Sequence, residues 1–316
     1  MAEWVWGGAV SHTGAMMRRP SGDAQDSSRA NRVFAGFDVL SARLRAARPD
    51  VLIVVATDHF LTFSYEQLPI FAIGTGAAFK GHGEFGVPKR DYTGLEGWGE
   101  QVHGGLVQAG FDISSARDMP LDHSFSCPLQ LLMKGWDMPV LPIYVNCTVA
   151  PLPSLRRCAD FGKALKRVVE ALPGSERVAI LGTGGLSHWV GTPETGQINT
   201  RFDQRFLADF AEGNFDRIAD YDHAPMRQPR PSGRGQARQV LNTAPQVPPS
   251  GGGEALADTD GVLHGEAVIR SAGNGAAEIR NWLIAAEAVD GRGADVIAYE
   301  PVESWVTGIG LCEVKR

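Results

Sequence analysis

Apolar residues along this chain follow two alternating periods. Short continuous apolar runs read as buried strands: Trp4 to Val10, Val51 to Ala56, Pro69 to Ile73, Val140 to Asn146, Val178 to Leu181, Val296 to Tyr299 and Val306 to Cys312. Between them lie stretches with helical spacing. Ala30 to Ala47 carries Val33, Phe37, Val39, Leu40 and Leu44 on one face, after a serine pair, Ser27-Ser28, placed to cap it. Leu95 to Ala109 is closed by Gly110, and Leu155 to Leu172 is ended by Pro173-Gly174. Phe202 to Ala211 and Ala276 to Ala288 complete the set, the last with Asn274 as a candidate cap. The alternation predicts an α/β fold, a central and mostly buried β-sheet flanked by helices, in one domain spanning residues 1–316.

One segment breaks the pattern. Residues 225–265 are rich in Pro, Gly, Arg and Gln, with Pro-Pro-Ser-Gly-Gly-Gly at 248–253 and almost no apolar periodicity. They read as a flexible or disordered insertion, a tolerated surface segment without a catalytic role in preference to a lid or a partner-binding tail. His223 and His264 flank or lie in it and are set aside on that ground.

Composition narrows the class. Of 316 residues, 43% are hydrophobic and 21% charged, with a net charge of −6, which is ordinary for a soluble enzyme and lacks a nucleic-acid footprint. No apolar run approaches the roughly 18 residues needed to span a bilayer. The N-terminus lacks the basic and apolar regions of a secretory signal. Cys127, Cys147, Cys158 and Cys312 show no CxxC spacing and read as small buried hydrophobes. A reduced, cytoplasmic protein is expected.

The candidate chemistry sits at strand ends. Ser11-His12, Asp58-His59 and Ser187-His188 each follow a predicted strand. In open α/β sheets, ligands bind outside the carboxyl ends of the strands, so imidazoles arriving there can converge. His12 and His59 at equivalent positions point to metal binding or catalysis. Asp58, beside His59, is a candidate partner to orient an imidazole, although neighbours along a strand point to opposite faces. The best third ligand is Glu278, at the edge of the apolar stripe of the last helix, where an acid must be paired or coordinated. The other reading is an ordinary first-turn glutamate favoured by the helix dipole. Two histidines and a carboxylate suit the facial site of a non-haem Fe(II) oxygenase, and equally a zinc hydrolase. His123 and His188 lie beyond that set and suit proton transfer. Gly182, Gly184 and Gly185 would let the backbone approach a ligand closely, without making a phosphate loop. His82 and His103 read as surface or structural residues.

Taken together, Ser11-His12, Asp58-His59, Asp122-His123, Gly184-Gly-Leu-Ser-His188, Glu278-Ile-Arg-Asn-Trp282 and Glu300-Pro-Val-Glu-Ser-Trp-Val-Thr-Gly308 carry a resemblance. So does Val140-Leu-Pro-Ile-Tyr-Val-Asn146 with Pro151-Leu-Pro153. In joint order and spacing the chain resembles the class III extradiol ring-cleaving dioxygenases over nearly its whole length except the insertion. The resemblance implies an Fe(2+) cofactor held by His12, His59 and Glu278. It implies His188 as the base that deprotonates a catechol, and His123 as the acid/base that assists oxygen activation and then donates a proton. It further implies a catecholic small molecule and O₂ as partners, a homo-oligomer, and Thr307 and Tyr299 near the pocket. Removing the insertion joins Asp222-His-Ala224 to Ala267-Val-Ile-Arg270 and restores a family-like approach to Glu278. Two other readings stay open: a zinc-dependent hydrolase on the same ligands, and a binding relative without the reaction.

Overall fold

The computed structural model describes residues 1–18, 24–221, 269 and 271–316. The expected insertion at 225–265 lies outside the described residues, as do His223 and His264. The strands are β1 (Glu3–Val10), β2 (Val51–Ala56), β3 (Phe71–Gly74), β4 (Ala78–Lys80), β5 (Asp91–Thr93), β6 (Ser114–Ala116), β7 (Val140–Val145), β8 (Arg177–Thr183), β9 (Ala294–Val302) and β10 (Thr307–Val314). The helices are α1 (Ala24–Ala46), α2 (Glu96–Gln108), α3 (His123–Leu132), α4 (Leu155–Ala171), α5 (Thr200–Glu212), α6 (Phe215–Ala219) and α7 (Ile279–Ala288).

Eight strands form one sheet in the order β6-β3-β7-β2-β8-β1-β10-β9, and β4 and β5 pair separately. The four central strands, β7, β2, β8 and β1, run parallel. β3 joins antiparallel to β7, and at the other edge β10 pairs antiparallel with β1 and β9 antiparallel with β10. Every residue of β2 is buried, which explains its unbroken apolar run. Val51, Ile53 and Val55 face the core shared with α2, α4, α5, α6 and α7, while Leu52, Val54 and Ala56 face the core shared with α1 and α3. The α/β architecture with helices on both faces is thus the expected one.

Local boundaries differ in instructive ways. α1 begins at Ala24, so Ser27 and Ser28 lie inside it and do not cap it. Asn274 is not a helix cap: its amide exchanges hydrogen bonds with the backbone of Val190. The chain enters α7 instead through a tight 3₁₀ turn, Asn274–Glu278, that starts after Gly273 in a left-handed conformation. Val306 also takes a left-handed conformation after a one-turn helix, which delays β10 to Thr307. All four cysteines are buried and form no disulfide, and burial pushes the Cys127 thiol up to about 12. Among the described residues no helix is long and apolar enough to cross a membrane.

Candidate metal centre

The parallel register brings three strand ends together. Val10 stands opposite Thr183, and Val55 opposite Gly182. The residues after β1, β2 and β8 therefore emerge at one edge of the sheet, and Gly184 N–H donates to Val10 C=O at 2.9 Å. The serines of the two Ser-His dipeptides point away from that edge. Ser11 Oγ donates to Gly308 C=O at 3.2 Å and accepts from Gly310 N–H at 3.0 Å, which locks β1 to β10. Ser187 N–H and Oγ both donate to the buried carboxylate of Asp203, at 2.8 and 2.9 Å. Each serine leaves its neighbouring histidine to face the opposite side.

Helix α7 supplies the acid. It is apolar nearly all round and buried through most of its length, as such a helix must be. Two side chains dock it onto the end of β8: Asn281 Nδ2–H donates to Thr183 C=O at 2.7 Å, and Trp282 Nε1–H donates to Gly184 C=O at 2.9 Å. The glycines make this approach possible. A Cβ on Gly182 would fall 2.3 Å from the Asn281 carbonyl oxygen, and one on Gly184 2.5 Å from Glu278 Cβ. The close approach expected of this segment is thus made by the protein's own helix. Glu278, the residue before α7, is buried and lies directly over the strand ends. Its Oε2 accepts from Gly185 N–H at 2.7 Å.

The other oxygen faces two imidazoles. His12 Nε2 lies 3.8 Å and His59 Nε2 3.6 Å from Glu278 Oε1. The His12 and His59 rings stand edge to face, 5.8 Å apart. His123 stacks on His59 at 4.3 Å and meets His12 edgewise at 5.5 Å. One nitrogen from each of these three histidines falls in a group no more than 4.8 Å across. His188 is buried, and Glu278 is among the charges it senses. A Cβ on Gly275 would meet the His188 ring at 2.0 Å, so the 3₁₀ turn before α7 presses against that imidazole. The five residues singled out in the sequence therefore form one cluster. His59 is the most open of the five, with 29% of its side chain exposed, and it marks the mouth.

Second contacts orient each ring differently. Asp122 caps α3 with Oδ1, which accepts from Ser124 N–H at 2.9 Å. Its Oδ2 accepts from both His59 N–H and His59 Nδ1–H, each at 2.8 Å. His123 Nδ1 is 2.5 Å from Glu84 Oε1, and His188 Nδ1–H donates to Leu186 C=O at 3.0 Å. His12 Nδ1 is buried with no hydrogen-bond partner among the described residues.

Charge follows these contacts. Burial lowers His12 to about 3, against the opposing pull of Glu278, so its imidazole is neutral at pH 7. For His59, burial also opposes the charge, but Asp122 and Glu278 outweigh it and raise the ring to about 9. Asp122 is buried, yet its bonds to His59 hold it well below the usual carboxylate range. Burial likewise works against the Glu278 anion, and His12, His188 and His59 bring it below its ordinary value. Burial lowers His188.

Residues 8–242 match the family described as the catalytic LigB subunit of aromatic ring-opening dioxygenases. The chain belongs to this family. Its relatives include the 2,3-dihydroxyphenylpropionate/2,3-dihydroxicinnamic acid 1,2-dioxygenase of Klebsiella pneumoniae strain 342, 28% identical over 85% of this chain and 86% of that one. The Pseudomonas putida enzyme of that name, numbered 2, is 34% identical over 52% of each chain. An uncharacterized Escherichia coli K12 protein of known crystal structure shares the fold alone, with a TM-score of 0.52, 11% identity and coverage of 98% and 99%. As a LigB-family dioxygenase, this chain is an oxidoreductase. The matched segment holds His12, His59, His123 and His188; Glu278 lies beyond it and enters through α7.

The partners of two acids beside the site, Asp122 and Glu84, escaped the sequence reading. Asp58 does not orient His59: its carboxylate accepts from the backbone of Thr62 and Phe63, at 3.1 Å for each, and shapes the loop. Asp122 orients His59 instead. Its helix-cap role is legible in Asp122-His-Ser, but its bond to a residue 63 positions away is not. Glu84 carries no local signal at all. Tyr299 donates its hydroxyl to Asp203 at 2.8 Å, and Thr307 donates to Trp305 C=O at 2.9 Å. His82 is exposed, and His103 Nε2 is 2.9 Å from Ile113 C=O on the structural side of α2.

Proposed function

We propose that this LigB-family dioxygenase opens a catechol ring beside its diol with O₂, using Fe(II) held by His12, His59 and Glu278. The observation that carries the reading is one carboxylate oxygen shared by two imidazole nitrogens, at 3.6 and 3.8 Å. Donors so spaced suit a common cation at about 2 Å from each. The donor chemistry fits as well: two imidazoles and one carboxylate leave positions open for two reactants. His12 is neutral, with its Nε2 lone pair free for a cation, and Asp122 fixes Nδ1–H of His59 so that Nε2 points to Glu278. A bound ferrous ion supplies joint binding of diol and O₂ and an electron path from ring to oxygen.

The protein supplies orientation and protons. His188 is buried and neutral, and with Nδ1–H given to Leu186 its Nε2 is the free acceptor for a catechol hydroxyl proton. His123, stacked on His59, is the second acid/base group and returns a proton as the ring opens. The partly exposed side of His59 admits the substrate. Similarity to enzymes named for 2,3-dihydroxyphenylpropionate supports a catechol with a side chain next to the diol. Four buried thiols outside any disulfide support a cytoplasmic site of action, and assembly into homo-oligomers is carried over from the family resemblance.

An oxygen electrode tests the reading. Fe(II)-loaded protein mixed anaerobically with a catechol panel should stay colourless, then consume O₂ and turn yellow when air is admitted. Turnover that ignores O₂ and runs with zinc would establish the hydrolase reading instead. Catechol binding without O₂ uptake would leave a binding relative.

A further inference from the structure

The cluster contains a carboxylate that no sequence motif announces. Glu84 lies in Gly81-His-Gly-Glu-Phe-Gly86, an irregular segment between β4 and β5. Backbone hydrogen bonds tie the base of this segment to the residue before Asp122. Leu121 N–H donates to Lys80 C=O at 2.8 Å, and His82 N–H donates to Leu121 C=O at 2.9 Å. Gly81 N–H donates across to Arg90 C=O at 2.7 Å. The top of the segment then turns through left-handed conformations at Gly83, Phe85 and Gly86, with φ of 79°, 54° and 91°. A non-glycine residue held in that region, as Phe85 is, marks a turn whose shape the surroundings dictate.

That turn delivers Glu84 to His123. A single oxygen, Oε1, accepts from His123 N–H at 2.8 Å and stands 2.5 Å from His123 Nδ1. Two bonds to the backbone and ring of one residue leave the imidazole little freedom. They also fix Nδ1 as the protonated nitrogen and leave Nε2 for the substrate. Phe85 adds a third contact. Its ring meets His123 edge to face at 5.1 Å and lies over Gly14, where a Cβ would come within 2.5 Å of it. Arg18 Nε–H donates to Phe85 C=O at 3.1 Å and holds the turn from outside.

We propose that Glu84 is the positioning residue of His123, clamping its ring and tautomer so that Nε2 faces the bound substrate. The proposal rests on the acid/base role of His123 given above. It separates the two proton-handling histidines: His188 is held by a neutral backbone carbonyl and His123 by an anion. Environments that differ in this way give two like groups different tasks.

The test compares Glu84→Ala, Glu84→Asp and Glu84→Gln in the full iron-loaded chain, with His123→Ala as reference. Glu84→Ala should lower kcat roughly 10–100-fold, the range for loss of a partner that orients an active imidazole. KM and bound iron should be unchanged, because the ligand set is untouched. Glu84→Gln keeps an oxygen able to accept both N–H groups and should recover most of the rate. Glu84→Asp, one methylene shorter, should not. A second readout is independent of turnover. ¹⁵N-histidine spectra of the full chain, with Zn(II) as diamagnetic probe metal, should show His123 protonated on Nδ1 alone, and a mixture of tautomers in Glu84→Ala. Wild-type kcat and an unchanged tautomer in Glu84→Ala, alongside a slow His123→Ala, would overturn the proposal. A His123→Ala that turns over at the wild-type rate would instead remove the role on which it rests. Should Glu84→Ala not fold, Glu84→Asp takes its place with the same expected and overturning results.

Discussion

Single atoms decide much of this site. Gly275 is one such position: its missing Cβ is the space occupied by the His188 ring, 2.0 Å from Nε2. Gly275→Ala should therefore push the imidazole off the substrate and cost roughly 10²–10⁴ in rate, the value of one acid–base group. Metal content should stay at the wild-type level, and metal analysis beside oxygen-electrode rates checks both halves. Asp122 works through His59. Asp122→Asn loses the charge and one accepting oxygen, and should weaken metal binding by roughly 10–100-fold. A metal titration showing wild-type affinity would remove Asp122 from that task. At this scale the sequence exposed the reactive groups but not their partners. An imidazole at a strand end is visible within ten residues; Asp122, Glu84 and Gly275 are visible only once distant segments touch.

At the scale of elements, α7 is the piece that completes the centre. Its apolar run was legible, and burial of almost the whole helix follows from it. Its entry was not, because Gly273 and the 3₁₀ turn answer to His188 across the cleft. The docking bonds from Asn281 and Trp282 give α7 a second task, which is to hold Glu278 over the strand ends. Trp282→Phe keeps most of the ring packing and leaves the buried Gly184 carbonyl unpaired. It should cost about 1–3 kcal/mol in urea unfolding and weaken metal retention in parallel. A stability loss with unchanged metal affinity would show that helix docking and ligand placement are separate.

The candidate ligands come from the segments after β1, after β2 and before α7, so a cation held by them would bind the folded chain only. Adding metal at about 100 times its dissociation constant should stabilise the fold by about 2.7 kcal/mol, and a chelator should reverse the shift in Tm. A second global lever is Asp203. Burial raises this carboxyl to about 6, against hydrogen bonds from Tyr299 and Ser187. The folded state therefore holds its proton more tightly than the unfolded chain does. The contribution is greatest below the unfolded value near 3.8 and is lost as pH rises through about 6. Relative to Asp203→Asn, wild-type stability should fall by about 1 kcal/mol between pH 5 and pH 7.5. Urea unfolding of both proteins at the two pH values measures this directly, and parallel pH curves would rule it out.

Periodicity alone determined the long strands, the long helices and the α/β layering, because burial of a strand or a helical stripe is a property of a few neighbouring residues; the short β4, β5, β6 and α6 carry too few residues to show a period. It also placed three histidines, His12, His59 and His188, after strand ends. The tertiary structure decided the rest. It reversed β3, β6 and β10 within an otherwise parallel sheet, and it turned the serines of the Ser-His pairs away from the cleft. It also chose Asp122 over Asp58 as the partner of His59. Those outcomes depend on distances between segments tens to hundreds of residues apart, and such distances are set by how whole elements pack, not by the order of side chains along any one of them.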